Sequence, residues 1–582
     1  MTNAALRGKP DAGNPHARFD EGEVAPAPTP RRGSLLYTLP IKQIAISLAA
    51  ATVAAQLVAA PSNPESEARR VMNIVNFMRG CDPRFPGLDM TKVLREEVWF
   101  NKLYKFKNTI LLQYDAMLRS DLMEIALSSD PELTEFGLWF EVVKPLCDRL
   151  GIAWRGREGW DWDWHACPTF LMAYTVADRE RLCDEMMRLF KEKFGRLPES
   201  VGCWIIDAHS MAYMSEKYGV KAFCICREQD STDAEGLRGG YSNGVYYPSR
   251  RNMLSAARDM KNAIRMPVFR MLTPCPIYNY GWPHDLYGEP RQLYGAAMAR
   301  ECPTMEPVWY GGNSRDVIDW YFDTYVRSRG LLNISYMQTG QENGFNWQRV
   351  SLGLPYQMKK IMLERRNGPL VVETLAETAK RFAADHDRNC PQTQVALSDW
   401  SGCGRQSVWY NSRCYRANLI IEKGRLSFRD IHVMKDDFDE PYFDTACSSK
   451  SVEYMTPPLV DKWLDRGDSK SGDTAQGDMA FDGEFVALGV ETPSDDTLVV
   501  SATRKDGSIA TVTFKEDHAV VCGASLFWNP SLARLSEISC ADGCITRDFA
   551  GYRHSVGVTG NVESTDAGFL IAPAGNEVVF RF

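Results

Sequence analysis

From about residue 71 to residue 387 one pattern recurs: a short apolar run closed by a charged or amide residue, then a longer segment with apolar positions at helical spacing. Strands buried on both faces read as near-continuous apolar runs, and parallel neighbours need a long crossover that is usually a helix. The runs fall at 72–78, 109–115, 135–141, 200–207, 220–226, 266–270 and 332–337. Intervening helices are predicted over 91–105, 144–150 and 176–194, the last closed by Gly195 as a C-cap. About seven such units predict an α/β fold, a (β/α)7-type distorted barrel over residues 66–390.

After about Asp387 the helical period stops. Short alternating strands take over at 406–410, 417–421, 497–501, 509–514 and 577–582, separated by Gly, Asp, Asn and Ser. That spacing predicts an antiparallel β-sandwich over 391–582. A fixed-period repeat is missing, which disfavours a propeller or solenoid.

Residues 1–65 read as a leader. A stretch rich in Pro, Ala, Gly and charge includes Arg31-Arg32, and Lys42 then precedes an Ala/Val/Ile/Leu run over 44–60 closed by Pro61. A basic flank, a short apolar stretch and small residues define a secretory signal, and hence an exported, periplasmic, cell-surface or secreted protein. A membrane anchor or an upstream extension remains the alternative.

Lys plus Arg number 67 against 75 Asp plus Glu, a net charge of -8, so no global positive field draws nucleic acid. Sixteen cysteines include no CxxC pair, which argues against a zinc ribbon or redox motif. Nor does a Walker or GxGxxG motif occur in strand context, and no cofactor is expected.

Barrel chemistry sits at the carboxyl ends of strands. There the sequence places Asp82 and Arg84, Gln113 and Asp115, Glu135 and Glu141, Asp207 and His209, Arg227-Glu228-Gln229-Asp230, Arg270, and Gln341-Glu342-Asn343. Taken singly, each is an ordinary loop carboxylate or a structural arginine; their recurrence at successive strand ends is the signal. Aromatics accompany them: Trp139, Trp160, Trp162, Trp164, Trp204, Tyr246, Tyr247, Trp282 and Trp347. Flat apolar faces beside carboxylates and amides suit sugar rings, so a glycan is the expected partner, although some of these rings must be core.

At these residues the chain resembles a family of exported bacterial proteins of the domain-of-unknown-function type, common in glycan-degrading gut bacteria. In it a barrel related to polysaccharide deacetylases and retaining α-glycosidases is joined to a C-terminal β-domain. The resemblance rests on Asn73-Ile-Val-Asn-Phe77, Leu112-Gln-Tyr-Asp115, Gly137-Leu-Trp-Phe-Glu141, Trp154-Arg-Gly-Arg157, Trp204-Ile-Ile-Asp207, Tyr246-Tyr-Pro-Ser249, Pro267-Val-Phe-Arg270, Ser335 to Asn343 and Ser407-Val-Trp-Tyr410. It implies a glycoside hydrolase with two carboxyl groups. By strand count the nucleophile corresponds to Asp207 and the acid/base to Glu342, the latter near Trp347, with Asp115, Glu141 and Glu228 in reserve. Arg227 and Arg270 would bind hydroxyls or a carboxylate. Gln113, Trp139, Trp164, His165, Tyr247, Gln341 and Asn343 complete the expected substrate contacts.

A carbohydrate-binding protein with an inactive barrel and a metal-dependent deacetylase are the competing readings. The deacetylase holds its metal with an Asp and a His-x3-His pair. None of the eight histidines lies three to five residues from another, and only His165, His209 and His284 fall in loops near the mouth, so no metal ligand set is expected.

Overall fold

Seven strands between Arg69 and Thr339 are parallel and consecutive in one sheet. They are seen in a computed structural model that describes residues 68–232, 235–271, 275–279, 308, 313–465 and 477–582. The expected leader, Trp282 and His284 lie outside these residues. Residues 68–582 form one compact unit. In chain order the strands are β1 (Arg69–Met78), β2 (Asn108–Leu112), β3 (Thr134–Trp139), β4 (Ser200–Gly202), β5 (Ala222–Cys226), β6 (Gln229–Thr232), β7 (Glu235–Arg238), β8 (Val245–Tyr246), β9 (Val268–Met271), β10 (Ile334–Thr339) and β11 (Val371–Glu373).

The barrel sheet runs β10-β1-β2-β3-β4-β5-β9-β8, with β11 beside β1. All neighbours but β8 and β9 are parallel. The gap between β10 and the β9 side is spanned by side chains rather than by a ladder. Asn243 Nδ2 donates to Tyr336 O at 2.6 Å, Gln338 Nε2 meets Cys224 Sγ at 3.2 Å, and the Phe269 and Tyr336 rings lie 5.2 Å apart. The result is a nearly closed barrel.

Alternation along the strands builds the two layers. Val71, Val75 and Phe77 of β1 join Leu111, Trp139, Cys224, Phe269 and Tyr336 in one interior cluster, while Met72 and Ile74 pack in another with the helix Lys92–Tyr104. Crossover helices follow the expected pattern. Val176–Phe194 starts at Thr175, whose side chain accepts from Asp178 N, and stops at Gly195 with φ +69°.

The strand-rich half opens with β12 (Gln392–Ala396), β13 (Gln406–Asn411), β14 (Tyr415–Glu422) and β15 (Arg425–Val433), followed by β16 (Val452–Met455) and β17 (Pro458–Asp461). β12 to β15 lead a nine-stranded antiparallel sheet, and an eight-stranded antiparallel sheet faces it. Val408, Leu419, Phe428, Val500, Val512, Trp528, Val556 and Phe580 fill the sandwich core.

Between β15 and β17 the chain leaves the sandwich and returns to the barrel. β16 pairs in parallel with β7, the Glu440 carboxylate accepts from Ala208 N and Met253 N (both 2.8 Å), and Cys447 N donates to Met172 O. None of the helices among the described residues is long and apolar enough to cross a membrane.

Candidate active site

The carboxyl ends of β1, β2, β3 and β10 converge on one guanidinium. Arg79, the first residue after β1, donates from Nε and Nη2 to Glu141 at 2.8 Å each, and from Nη1 to Glu342 at 2.6 Å. Gln113 Nε2 adds a third bond to Glu141 at 2.9 Å. Arg79, Glu141 and Glu342 are only 3%, 0% and 5% exposed, so the charges meet in a low-dielectric pocket where pairing is obligatory. Burial alone disfavours the charged guanidinium of Arg79. Its two carboxylate partners hold the guanidinium well above its ordinary value instead.

Glu342 reaches this point through backbone geometry. Gly340 has φ +144°, and a Cβ there would come 1.8 Å from Val75 O, so the β1–β10 seam closes only over glycine. Beyond it, Phe77 N donates to Gln341 O and Asn343 N to Phe77 O (both 3.3 Å), carrying Glu342 alongside β1. The Asn343 side chain then clasps Arg79, accepting from its N–H at 2.8 Å and donating to its carbonyl at 3.0 Å. Burial pushes the Glu342 carboxyl above its usual range, and Asp82 and Glu141 add to the effect against the opposing charges of Arg79 and Arg84.

Asp115 lies at the edge of the same cluster. It accepts from Gly80 N at 3.1 Å and from the Cys81 thiol, yet burial raises its pKa to about 6. Burial and Asp115 in turn drive the Cys81 thiol upward. Asp82 forms a double bond pair with Arg84 (2.9 and 2.7 Å), and the guanidinium groups of Arg79 and Arg84 lie 4.4 and 4.8 Å from the Trp162 ring. Trp162 belongs to the aromatic loop expected at the mouth. There Arg157 stands over Trp160 and Trp164 and pairs with Asp163, which also binds His165 Nδ1 at 3.0 Å. Despite burial, the bonds from His165 and Arg157 hold the Asp163 carboxyl well below the usual carboxylate range.

Asp207 is placed differently. It caps the helix Ala208–Tyr218, accepting from Ser210 N at 3.0 Å and from Ser210 Oγ at 2.7 Å, and Arg179 Nη1 donates to it at 3.1 Å. Glu440 sits beside this pair, and burial reinforced by Asp207 raises its pKa well above the carboxylate range. Among the described residues Asp207 makes no hydrogen bond or ion pair with the Arg79 network.

Several other expected contacts are occupied by the fold. Trp139 is fully buried, stacked 4.0 Å from Phe77 and edge-on to Trp204, and so plugs the barrel interior. The Tyr247 hydroxyl donates to His386 O at 3.0 Å. Arg270 donates to the carbonyls of Cys226, Gly239 and Tyr241. Glu228 pairs with Arg416 of β14, which also binds Asp430 at 2.9 and 2.7 Å, while Arg227 binds Asn279. Arg416, Arg270 and Arg227 overcome burial to lower the Glu228 pKa. These residues join barrel to sandwich. Trp347 opens a short helix and stacks under Lys92 at 5.4 Å, and His209 meets Glu180 at 3.2 Å. Glu135 lies toward the start of β3 and accepts from Ala376 N, at the opposite end from Glu141.

Three buried polar groups next to the Arg79 network are unpartnered among the described residues: the Gln341 amide, Trp139 Nε1 and Trp162 Nε1. Reading strand ends finds Glu141 and Glu342 but misses Arg79, whose only signal is its place directly after β1.

Among the described residues, metal-ligating atoms gather only at Asp430, His432 and Asp461, within 4.8 Å of one another. All three lie in the sandwich and are already engaged: Arg416 on Asp430, Thr456 O on His432 Nδ1 at 2.9 Å, and His432 Nε2 on Asp461 at 3.1 Å. Among the described residues the barrel mouth offers carboxylates and the imidazole of His165. That set does not fit the Asp and paired-His ligands of a metal-dependent deacetylase.

No family model matches the chain, and no curated protein matches it. Solved structures align with part of the chain at low similarity. A candidate glycoside hydrolase/deacetylase from Parabacteroides distasonis is 12% identical with a TM-score of 0.49, covering 68% of this chain and 92% of its own. A candidate polysaccharide deacetylase from Mycobacterium smegmatis is 11% identical with a TM-score of 0.33, covering 56% and 94%. A GH57 branching enzyme from Thermococcus kodakaraensis is 9% identical with a TM-score of 0.29, covering 55% and 71%. The chemistry of this chain is read from its own residues.

Proposed function

We propose that the protein is a glycoside hydrolase acting on a glycan through two carboxyl groups at the barrel mouth. The observation that carries this reading is the pair Glu141 and Glu342 bracketing Arg79, with burial raising the Glu342 carboxyl above its usual range. Glycosidic cleavage needs one carboxylic acid to protonate the leaving oxygen and one carboxylate on the other side of the bond. Glu342 is the proton donor. Glu141, which accepts three hydrogen bonds from Arg79 and Gln113, is the anionic partner favoured by geometry, and Asp207 is the partner favoured by strand count. The Gln341 amide and the Trp162 indole, unpartnered among the described residues, offer donors and an acceptor for sugar hydroxyls.

The test is a reducing-end assay on a panel of glycans and aryl glycosides with Glu342→Gln, Glu141→Gln and Asp207→Asn. Glu342→Gln is expected to lose about 10²–10⁴-fold on natural glycosides and less on aryl glycosides with good leaving groups. Loss in Glu141→Gln but not in Asp207→Asn assigns the second carboxylate to Glu141, and the reverse assigns it to Asp207. The full engagement of Asp207 by the helix cap and Arg179 favours a second reading, a glycan-binding protein with a silent barrel. Binding without turnover in the unmodified protein would establish that reading and remove the hydrolase.

A further inference from the structure

We propose that the protein carries a second binding site, for a compact oxyanion, at the end of the barrel opposite the candidate active site. The site is a cleft of about 480 Å³ at the seam between barrel and sandwich, lined by Arg258, Arg265, Arg388 and Arg413 together with Asp259 and Asp387. Its place follows from the topology. Arg265 precedes β9, which starts at Val268, and Arg388 precedes β12, which starts at Gln392. Arg413 lies in the turn between β13 and β14. Through Arg265 the cleft lies toward the amino end of the parallel strand β9, whereas Arg79, Glu141 and Glu342 follow the carboxyl ends of β1, β3 and β10. A volume of this size falls within the range of small-ligand pockets, roughly 300–1,000 Å³.

The charges lining the cleft do not cancel internally. Arg413 is committed to Glu516 at 2.8 and 3.2 Å and to Arg258 O at 2.7 Å. Asp259 is committed to Lys261, at 3.0 Å from its ammonium and 3.0 Å from its backbone N–H. Arg258 uses Nη2 on Phe582 O and Cys414 Sγ, which anchors it at the cleft wall. Arg265 and Arg388 are exposed and make no hydrogen bond or ion pair among the described residues. Two uncommitted cations, Arg265 and Arg388, thus face the single remaining lining carboxylate, Asp387, in a chain whose net charge is -8. Guanidinium groups on separate segments present planar forks of donors, the arrangement that grips sulfate, phosphate or carboxylate through paired hydrogen bonds. Such an anion is either free or carried as a substituent on a sugar.

The test uses calorimetric titration of the full chain at constant ionic strength, with sodium sulfate, N-acetylglucosamine 6-sulfate and N-acetylglucosamine as probes. Sulfate is expected to bind with a Kd of about 10 mM or tighter. The double variant Arg265→Ser/Arg388→Ser is expected to weaken it at least about tenfold without changing the ligand-free melting temperature, whereas Lys191→Ser, which removes one exposed charge elsewhere, leaves it unchanged. Sulfated sugar binding at least about tenfold tighter than sulfate, with the unsulfated sugar silent, assigns the anion to a sugar substituent; equal affinity assigns the site to the free oxyanion. An unmodified protein that binds no sulfated probe, or a double variant that binds as well as the unmodified protein, overturns the proposal.

Discussion

Replacing Arg79 by Met removes the one cation that two buried carboxylates share, and the consequence can be worked from the contacts. Three charge-assisted bonds of 2.6–2.8 Å disappear, and Glu141 and Glu342 remain 0% and 5% exposed with no countercharge between them. Breaking a buried pair from one side costs about 3–5 kcal/mol, most of it the burden of the orphaned charge. The cost must depend on pH. Arg79 lowers the Glu342 pKa against the upward push of burial, so its loss lets that carboxyl rise further. A carboxyl raised in the folded state is penalised fully above its folded pKa and not at all below its unfolded value, near 4.3. The deficit of Arg79→Met is therefore largest at pH 7.5 and fades as pH falls toward 4.5. Urea denaturation at both pH values measures it, with the slope m as a check on two-state behaviour. Adding Glu141→Gln should recover part of the loss by removing one orphaned charge. A deficit below about 1 kcal/mol at pH 7.5, or one equal at both pH values, would refute the reasoning.

Asp115→Asn should stabilise the protein by up to about 3 kcal/mol above pH 6 and change nothing below pH 4, because burial raises the native carboxyl to about 6; denaturation curves that track the unmodified protein across that window count against it. Asp207→Ala should cost about 2–4 kcal/mol through loss of a helix cap and of the Arg179 partner. A thermal melt unchanged by that substitution would free Asp207 from a structural role. Gly340→Ala should cost more than about 4 kcal/mol, since its Cβ would overlap Val75 O. Expression of a soluble variant with normal stability would show that the seam relaxes more easily than its geometry implies.

The barrel could be read from the sequence because its strands are buried on both faces and its helices carry their own stop signals. The helix Val176–Phe194 is the clearest case: apolar positions at helical spacing, Thr175 before it and Gly195 after it. Asp207 shows where the reading stopped. The run 200–207 looks like one strand closed by a carboxylate, but β4 ends at Gly202. The same residues contain Asp207 and Ser210 in the spacing of a helix N-cap, a local signal as strong as the strand pattern. Arg79 and Glu342 are 263 residues apart, and no local rule pairs them. Trp139 met the composition expected of a sugar platform, yet an inward position on β3 makes it core, because side-chain direction on a strand depends on register. Glu228 and Arg270 looked like ligands for substrate because the sandwich that employs Arg416 against Glu228 folds from a distant part of the chain.

The pairing of β16 with β7 bears on how such a chain can change over evolutionary time. A strand from the second half completes a ladder that begins in a barrel loop, and Glu440 caps backbone groups on barrel segments nearly two hundred residues or more away. Neither half is a module that recombination could exchange for another without leaving an open strand edge and bare N–H groups behind. Fusions and truncations cut near residue 391 are thus expected to yield aggregating fragments, and new specificities would arise by substitution at the barrel mouth rather than by swapping the β-sandwich.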